Sequence, residues 1–232
     1  VTGVQTCALP IYSGESKLLM STRDTLIRAY MAGLFPMAER ADDPDVFWVD
    51  PDKRGIMPLD DFHVPRSLKK TVRQNRFEVR IDSDFAAVMR GCAAPRPKAG
   101  ETWINDQILS VYCALAAQGF AHSVECWREG RLVGGLYGVA IRGAFFGESM
   151  FKRETDASKV ALVHLVARLR RGGYRLLDAQ FITPHLARFG AVEVSRGAYR
   201  KRLAAALETE ATFYGALDGA GEAVLQSMTH TS

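Results

Sequence analysis

Residues 131–181, RLVGGLYGVAIRGAFFGESMFKRETDASKVALVHLVARLRRGGYRLLDAQF, decide the fold because their hydrophobic periodicity changes from strand-like to helix-like and back. The first part holds two strand-like runs joined by Arg142-Gly143, a dipeptide suited to the positive φ angles of a tight hairpin turn. The run 157–171 has the spacing of an apolar helix, which the glycines at 172–173 end. YRLLDAQF reads as a buried strand. Hairpin strands followed by a β-α-β unit predict an α+β domain.

Elements on both sides extend this core. HSVECW predicts a preceding strand joined through the turn dipeptide Glu129-Gly130, while AVEVS and YRKRLAAAL predict a last strand and a closing helix. The remaining upstream predictions are a helix over 24–33, irregular structure with short strands over 34–58, a helix over 66–74, a strand over 77–82, and helices near 84–94 and 105–118. Helix caps are expected at Ser21 or Thr22, at Asp82 or Ser83, and at Thr155 or Asp156.

This order of elements resembles the GNAT-type acyltransferase core. We therefore predict an α+β protein with a GNAT-like domain. The first twelve residues, VTGVQTCALPIY, fit poorly with the rest of the chain and read as a non-native tail. They lack the basic start and long apolar run of a signal peptide.

Composition excludes several classes of protein. Of the 232 residues, 47% are hydrophobic and 24% charged, which excludes disorder, collagen-like repeats and a disulfide scaffold. No apolar run approaches the roughly 20 residues that span a bilayer, so we expect a cytoplasmic protein without a membrane partner. Cys7, Cys92, Cys113 and Cys126 are scattered, which favours reduced thiols over a zinc site or disulfides.

Asp178 and Gln180 are polar residues inside an otherwise apolar strand. Residues two apart on a strand share one face, and buried polar groups without partners cost about 1–3 kcal/mol, so both side chains need partners. They are either structural hydrogen-bonding groups or catalytic groups. Glu148, the one acid in AFFGESMF, is open to the same two interpretations. His185, in the short helix that comes next, is the rival candidate for a general base.

Two further features are compatible with a polyanionic ligand or with ordinary structure. Trp48 and Trp103 lie in polar, loop-like surroundings, where they either stack on nucleic-acid bases or pack between domains. A helix over 66–74 would place four bases on one face, for phosphate contacts or simply for solvation. These four are Arg66, Lys69, Lys70 and Arg73. The net charge of +4 alone does not identify a nucleic-acid binder.

A set of motifs in the same order strongly resembles the leucyl/phenylalanyl-tRNA–protein transferase family, over about residues 24–205. The motifs are AYMAGLFPMAE, FWVDPDKRGIMPL, FHVPRSL, TWIN, LVGGLYGVAIRGAFFGESMFKRETDASKVAL and LLDAQFITPHLARFGA. The resemblance implies transfer of Leu, Phe and in some members Met from aminoacyl-tRNA to proteins that begin with Arg or Lys. Such transfer would mark these proteins for N-degron degradation. The resemblance also implies a small N-terminal α+β domain, over residues 1–62, joined to a GNAT-like catalytic domain over residues 63–232.

The resemblance also implies roles for individual residues. Asp178 and Gln180 would orient and deprotonate the attacking amine, and Glu148 would receive an α-ammonium group. Trp48 and Trp103 would hold the terminal adenosine of tRNA. An apolar pocket would take the transferred side chain, formed by Leu136, Phe145, Met150 and Leu162. Ala179 departs from the Cys or Thr that relatives often carry, but it should point to the opposite face.

The chemistry implied needs neither metal nor cofactor. An aminoacyl ester is already activated, and a protein α-amine of pKa about 7.7–8.0 is partly neutral at pH 7, so positioning and a hydrogen-bond acceptor suffice. We expect a monomer. Two alternatives are an acetyl-CoA-dependent GNAT-type N-acyltransferase and a catalytically silent RNA- or peptide-binding module. The first is disfavoured because KRETDAS has no glycine for a pyrophosphate loop, and the second because Asp178, Gln180 and Glu148 are present.

Overall fold

A computed structural model describes residues 23–38, 46–94, 102, 104–214 and 221–228. The helices are α1 Arg23–Met31, α2 Arg66–Arg73, α3 Phe85–Ala93, α4 Asp106–Ala117, α5 Ala157–Arg171, α6 Pro184–Ala187, α7 Arg196–Leu207 and α8 Gly221–Ser227. The strands are β1 Phe35–Met37, β2 Phe47–Val49, β3 Lys53–Ile56, β4 Glu78–Ile81, β5 Ala121–Arg128, β6 Arg131–Ile141, β7 Ala144–Lys152, β8 Leu176–Gln180 and β9 Val192–Ser195.

One seven-stranded sheet organises the molecule, in the order β4-β5-β6-β7-β8-β3-β9. Strands β4 to β7 form an antiparallel meander, and β8 then pairs with β7 in parallel after the crossover helix α5. The prediction of hairpin strands followed by β-α-β is therefore confirmed, and the protein is α+β. β6 and α5 begin and end at the predicted residues because each run is long, strongly periodic and bounded by turn residues.

Apolar side chains cover both faces of this sheet. One hydrophobic cluster holds alternate β6 residues such as Tyr137 and Val139 together with side chains of α3 and α4. The other cluster holds Leu136 and Ala140 together with the apolar residues of α5. The alternation follows from the two-residue period of a strand. Within the described part of the chain, no helix combines the length and apolarity that crossing a bilayer requires.

The two predicted hairpin turns form, with one difference in detail. Glu129 and Gly130 both have positive φ angles, 51° and 72°. At the second turn the positive φ angle, 54°, falls on Arg142 rather than on Gly143. Gly143 is needed for a different reason, because a Cβ atom there would lie 2.7 Å from the Ala206 carbonyl oxygen. Close approach to α7 therefore explains this glycine.

The helix caps differ most from the predictions. Asp84, not Asp82 or Ser83, caps α3 by accepting from the Ala87 backbone N–H at 2.9 Å. The Asp82 carboxylate instead accepts the backbone N–H of Ser123. Asp156 occupies the N-cap position of α5 as predicted, but with a φ angle of 71° and no capping bond from its side chain. The cap expected at residues 21–22 lies outside the described residues.

Strand β3 joins the N-terminal segment to the main sheet. Its residues pair with β8 on one side and with β9 on the other, both antiparallel. The short β1–β2 sheet precedes it and is separate from the main sheet. A segment assigned to the small N-terminal domain thus supplies a strand to the larger sheet, and the division at residue 62 stays a prediction.

Candidate active site

Strands β7 and β8 separate at one point, and a cavity opens there. Their parallel pairing ends at Phe146 and Asp178. Just beyond, the register of β7 against β6 skips Glu148, because Gly147 pairs with Gly138 and Ser149 pairs with Tyr137. An extra residue of this kind is a β-bulge, which re-aims a side chain and often lies beside an active site. The cavity has a volume of about 870 Å³ and is lined by both separated strand ends.

Glu148 is surrounded by hydrogen-bond donors at the wall of this cavity. Its Oε1 accepts from the Tyr30 hydroxyl at 2.6 Å and from Gln180 Nε2 at 3.0 Å, and its Oε2 accepts from the Tyr112 hydroxyl at 3.2 Å. The two tyrosine hydroxyl oxygens lie 2.5 Å apart. Three separate elements, α1, α4 and β8, therefore converge on one carboxyl group.

Burial raises the pKa of Glu148 to about 7, because an ionised carboxylate is disfavoured away from water. The hydrogen bonds from Tyr30 and Gln180 lower the pKa, which limits the increase. A carboxyl group that titrates near neutral pH beside a cavity can both accept and return a proton.

Asp178 is also buried, but it has a cationic partner. The Arg54 guanidinium donates from Nη2 to Oδ2 at 2.6 Å and from Nε to Oδ1 at 3.0 Å, and the Tyr199 hydroxyl donates to Oδ2 at 2.7 Å. The guanidinium carbon lies 4.3 Å and 4.6 Å from the ring centroids of Phe35 and Tyr199. Burial opposes the charge on Arg54, yet the attraction of Asp178 raises its pKa overall. This ion pair ties β3 and α7 to β8.

Gln180 connects the two carboxyl groups. Its backbone N–H donates to Asp178 Oδ1 at 2.8 Å while its side-chain amide donates to Glu148. Its φ angle of 59° is unusual for a residue that is not glycine, and the bond to Asp178 helps to hold it. Asp178 and Gln180 are thus linked as expected, but through the backbone, and among the described contacts their side chains have different partners. Because the NH₂ group faces Glu148, the amide oxygen is directed elsewhere as an acceptor.

Three of the four residues assigned to the apolar pocket line the cavity. Leu136, Met150 and Leu162 belong to its wall. Phe145 is buried and is not among the described lining residues. Its ring instead stacks on Phe213, with centroids 5.7 Å apart. Phe145 therefore belongs to the hydrophobic core and not to the described wall of the cavity.

His185, the rival base, lines the same cavity, half-buried on α6. Burial and the positive charges of Lys159, Lys152 and Arg188 lower its pKa, so the neutral imidazole is favoured. The geometry brings His185 to the cavity without a described hydrogen bond to Glu148 or Gln180. It stays an alternative to Glu148.

The residues predicted to contact tRNA, so far as the structure describes them, are not among those that line the cavity. Trp48 is half-buried on β2 and packs against the core, and Trp103 lies outside the described residues. α2 forms as predicted, and its basic residues Arg66, Lys70 and Arg73 are exposed, with Lys69 partly so. Arg73 is paired with Glu222 at 2.8 Å, so its charge is partly neutralised.

Sequence reasoning missed the four residues that surround the two carboxyl groups. Arg54, Tyr30, Tyr112 and Tyr199 each contact a partner far away along the chain, as in the 124 positions between Arg54 and Asp178. The one usable signal in the sequence was the run KRGI, because a buried acid requires a basic partner and this strand holds Lys53 and Arg54. Among the described residues no group of three His, Cys, Asp or Glu side chains could hold a metal ion, and Cys113 and Cys126 form no disulfide.

Comparisons with known proteins show which family of proteins this chain resembles. Residues 56–204 match the family model of leucyl/phenylalanyl-tRNA protein transferase, and residues 22–52 match the model of its N-terminal domain. The leucyl/phenylalanyl-tRNA–protein transferase of Paramagnetospirillum magneticum is 59% identical over 83% of this chain and 92% of its own. The protein of the same name from Maricaulis maris is 57% identical over 90% and 97%. The solved structure of L-PGS from Bacillus licheniformis aligns with 13% identity over 71% of this chain and 55% of its own, at a TM-score of 0.37.

Proposed function

The chain belongs to the leucyl/phenylalanyl-tRNA–protein transferase family, and we propose that it transfers leucine or phenylalanine from aminoacyl-tRNA to the N-terminal amine of proteins. It is an aminoacyltransferase. The acceptors begin with Arg or Lys, methionine is a further donor residue, and the product is marked for N-degron degradation in the cytoplasm. The acetyl-CoA-dependent alternative is disfavoured, because the matched relatives carry the name of a tRNA-dependent enzyme.

One observation carries the proposal: a carboxyl group with a pKa of about 7 and an oriented amide lie together at the wall of an apolar cavity. Acyl transfer from an activated ester needs a place for the acyl side chain, an acceptor for a hydrogen bond from the amine, and a group that removes a proton. The cavity, Gln180 and Glu148 offer these three features.

In the proposed reaction the acceptor amine attacks the ester carbonyl carbon, so that a C–N bond forms and the C–O bond to the ribose breaks. The amide oxygen of Gln180 accepts a hydrogen bond from the amine and orients its lone pair. The Glu148 carboxylate takes the proton that the amine loses and then returns it to the departing ribose oxygen. Asp178 acts as a positioning residue, because it holds the backbone of Gln180 and is itself fixed by Arg54.

The apolar wall suits a transferred leucine or phenylalanine side chain. Leu136, Met150 and Leu162 present hydrocarbon and thioether surface, which excludes water without a directional requirement. Such a pocket discriminates poorly between side chains that differ by a methylene group, at about 1–3 kcal/mol each. A single site can therefore accept Leu, Phe and Met.

The donor tRNA would be held by two further features of the chain. Trp48, together with Trp103, would stack on the terminal adenosine, at about 1–3 kcal/mol per stacked base. The basic face of α2 would add sequence-independent phosphate contacts. Trp48→Ala should accordingly raise KM for aminoacyl-tRNA far more than KM for the acceptor peptide. The enzyme would act as a monomer.

The decisive experiment is transfer of labelled leucine from Leu-tRNA to a peptide that begins with Arg. We expect label at the peptide N-terminus, equally in the presence of EDTA and without ATP. The matched controls are the same peptide with an acetylated N-terminus and one that begins with Glu. Absence of label on the Arg peptide, or loss of activity with EDTA, would contradict the proposal, as would a rise in Tm caused by coenzyme A.

A further inference from the structure

One end of the cavity is bordered by positive charges that the proposed reaction does not use. Lys152, Arg153 and Lys159 line the cavity together with His185. Lys152 lies four residues beyond Glu148 on β7, a distance of about 13 Å along a strand. We call the positively charged residues at this end the cationic rim: Lys152, Arg153, Lys159 and Arg188.

Most of this charge is not neutralised by nearby acids. Lys152 and Arg188 are exposed, and neither makes an ion pair with any described residue. Arg153 donates to the Leu132 carbonyl oxygen at 2.9 Å, which fixes the side chain without removing its charge. Only Lys159 has an acidic partner in the described contacts, Asp156 at 2.8 Å. The rim therefore carries a strong net positive charge at a cavity mouth, where the field of such charges is focused.

The charges also act on a common point. Lys152 and Lys159 come from β7 and α5, while Arg188 immediately follows α6, the helix that carries His185. All three charges, after burial, contribute to the lowered pKa of His185. Three elements therefore surround one position at the cavity mouth with cations, which is an arrangement suited to an anion and not to a cation.

We propose that the cationic rim binds the phosphodiesters that adjoin the terminal nucleotide of the donor tRNA. The inference rests on the proposed function, since an ester on the terminal nucleotide must enter the cavity while the preceding phosphates remain at its mouth. Phosphates pair with Lys and Arg independently of sequence. The acceptor carries a positive α-amine and an Arg or Lys side chain, so the rim repels it and steers it to another approach.

This site is separate from the basic face of α2. The α2 residues are exposed on a helix that packs against α5 and α8, and none of them lines the cavity. The rim would therefore place the reactive end of the donor, whereas α2 would contact a more distant part of the tRNA. Loss of the rim should weaken binding of tRNA and spare a donor that has no phosphates.

The test is the double variant Lys152→Gln/Arg188→Gln, with Arg175→Gln/Lys201→Gln as the matched control. All four side chains are exposed, and neither control residue lines the cavity or forms an ion pair among the described residues. Equilibrium binding of uncharged tRNA is measured between 50 and 200 mM salt. About 0.7 counterions are released per phosphate contact, so the loss of two contacts should reduce the slope of log affinity against log salt by about 1.4. Over this salt range the parent protein should therefore lose about sevenfold more affinity than the variant.

Kinetics with two donors complete the test. The rim variant should raise KM for Leu-tRNA and leave KM for leucyl-adenosine, which has no phosphate, unchanged. An unchanged salt slope, an equal loss with leucyl-adenosine, or a raised KM for the acceptor peptide would overturn the proposal. The last result would point to an acidic segment of the acceptor as the ligand. If the parent protein transfers leucine from neither donor, the proposed function is contradicted. The salt slope of tRNA binding would still show whether the rim binds phosphates.

Discussion

Two carboxyl groups on adjacent strands, the buried Asp178 on β8 and the half-buried Glu148 on β7, differ in their partners. Asp178 has a guanidinium held by two hydrogen bonds, and its site is fully enclosed. Glu148 has only neutral donors, the hydroxyls of Tyr30 and Tyr112 and the amide of Gln180, beside an open cavity. A cationic partner offsets the cost of burying a charge, whereas neutral donors offset only part of it, so the pKa of Glu148 rises to about 7. The comparison separates a positioning ion pair from a group able to exchange protons.

The largest effect should come from removing the cation beside Asp178. Arg54→Met leaves a buried carboxylate without its partner, and the free energy of unfolding should fall by about 3–5 kcal/mol. Urea unfolding measures this loss of unfolding free energy. Arg196→Met is the matched control, because Arg196 pairs with Asp50 and Asp52 at a partly exposed site, where a loss below about 1 kcal/mol is expected. Equal losses in the two variants would contradict the distinction between the sites.

Glu148→Gln should remove a proton-exchanging group without leaving a charge unpaired. Transfer activity should fall by at least about 100-fold. In the parent protein the pKa of Glu148 is about 7 in the folded state and about 4.3 in the unfolded state, so the folded state binds more protons between these values. The stability of the fold therefore falls as pH rises through that window, by about 4 kcal/mol in all. The variant should lack this fall.

The measurement for Glu148 is the free energy of unfolding at pH values from 4.5 to 8, alongside single-turnover rates. Glu154→Gln is the control, because Glu154 is paired with Arg128 at 2.9 Å and lies partly exposed. It should change neither the activity nor the stability profile appreciably. A parent protein whose stability rises with pH across this window would show that Glu148 is ionised throughout.

Asp178 and Gln180 should behave as one unit if the first positions the second. Asp178→Asn should lower kcat by up to about 100-fold while tRNA affinity is retained, and Gln180→Ala and the double variant should cost about as much. The buried ion pair with Arg54 means that Asp178→Asn should lower Tm as well, so rates must be expressed per folded molecule. Single-turnover rates and melting curves separate the two effects.

Asp50→Asn provides the comparison for this pair, since Asp50 is a partly buried carboxylate that pairs with Arg200 and Arg196 away from the cavity. Its kcat should be unchanged. Additive rate losses for Asp178→Asn and Gln180→Ala in stable proteins would mean that the two do not act together. Asp178 would then not act by positioning Gln180.

The smallest effect should come from the tyrosines. The Tyr30 hydrogen bond lowers the pKa of Glu148, so Tyr30→Phe should raise that pKa by up to about one unit, since a unit corresponds to about 1.4 kcal/mol. The pH–rate profile should move to higher pH, with activity recovered above pH 8. Tyr112→Phe should shift it less, because its bond is longer, at 3.2 Å against 2.6 Å. A larger shift of the pH–rate profile with Tyr112→Phe than with Tyr30→Phe would mean that Tyr112 donates the stronger hydrogen bond to Glu148.

Local pattern was sufficient for much of the fold. The limits of β6 and α5 follow from periodicity and turn residues within the segment itself. The polar residues Asp178, Gln180 and Glu148 stand out against apolar neighbours, and the structure brings them to one cavity. Cap positions at α3 were wrong by one or two residues because Asp82, Ser83 and Asp84 compete for the same role, and tertiary contacts of the first two decide the outcome.

The sequence by itself determined the α+β order of elements, the family resemblance and the polar residues that need partners, since each of these depends on neighbours within a short stretch of chain. Only the tertiary structure decided which partner each residue has. The insertion of β3 between β8 and β9 places Arg54 against Asp178, and the bulge that skips Glu148 aims that residue at Tyr30 and Tyr112. The presence of a cation or of neutral donors in turn sets how readily each buried carboxyl group loses its proton, because desolvation and nearby charge act through space and not along the chain.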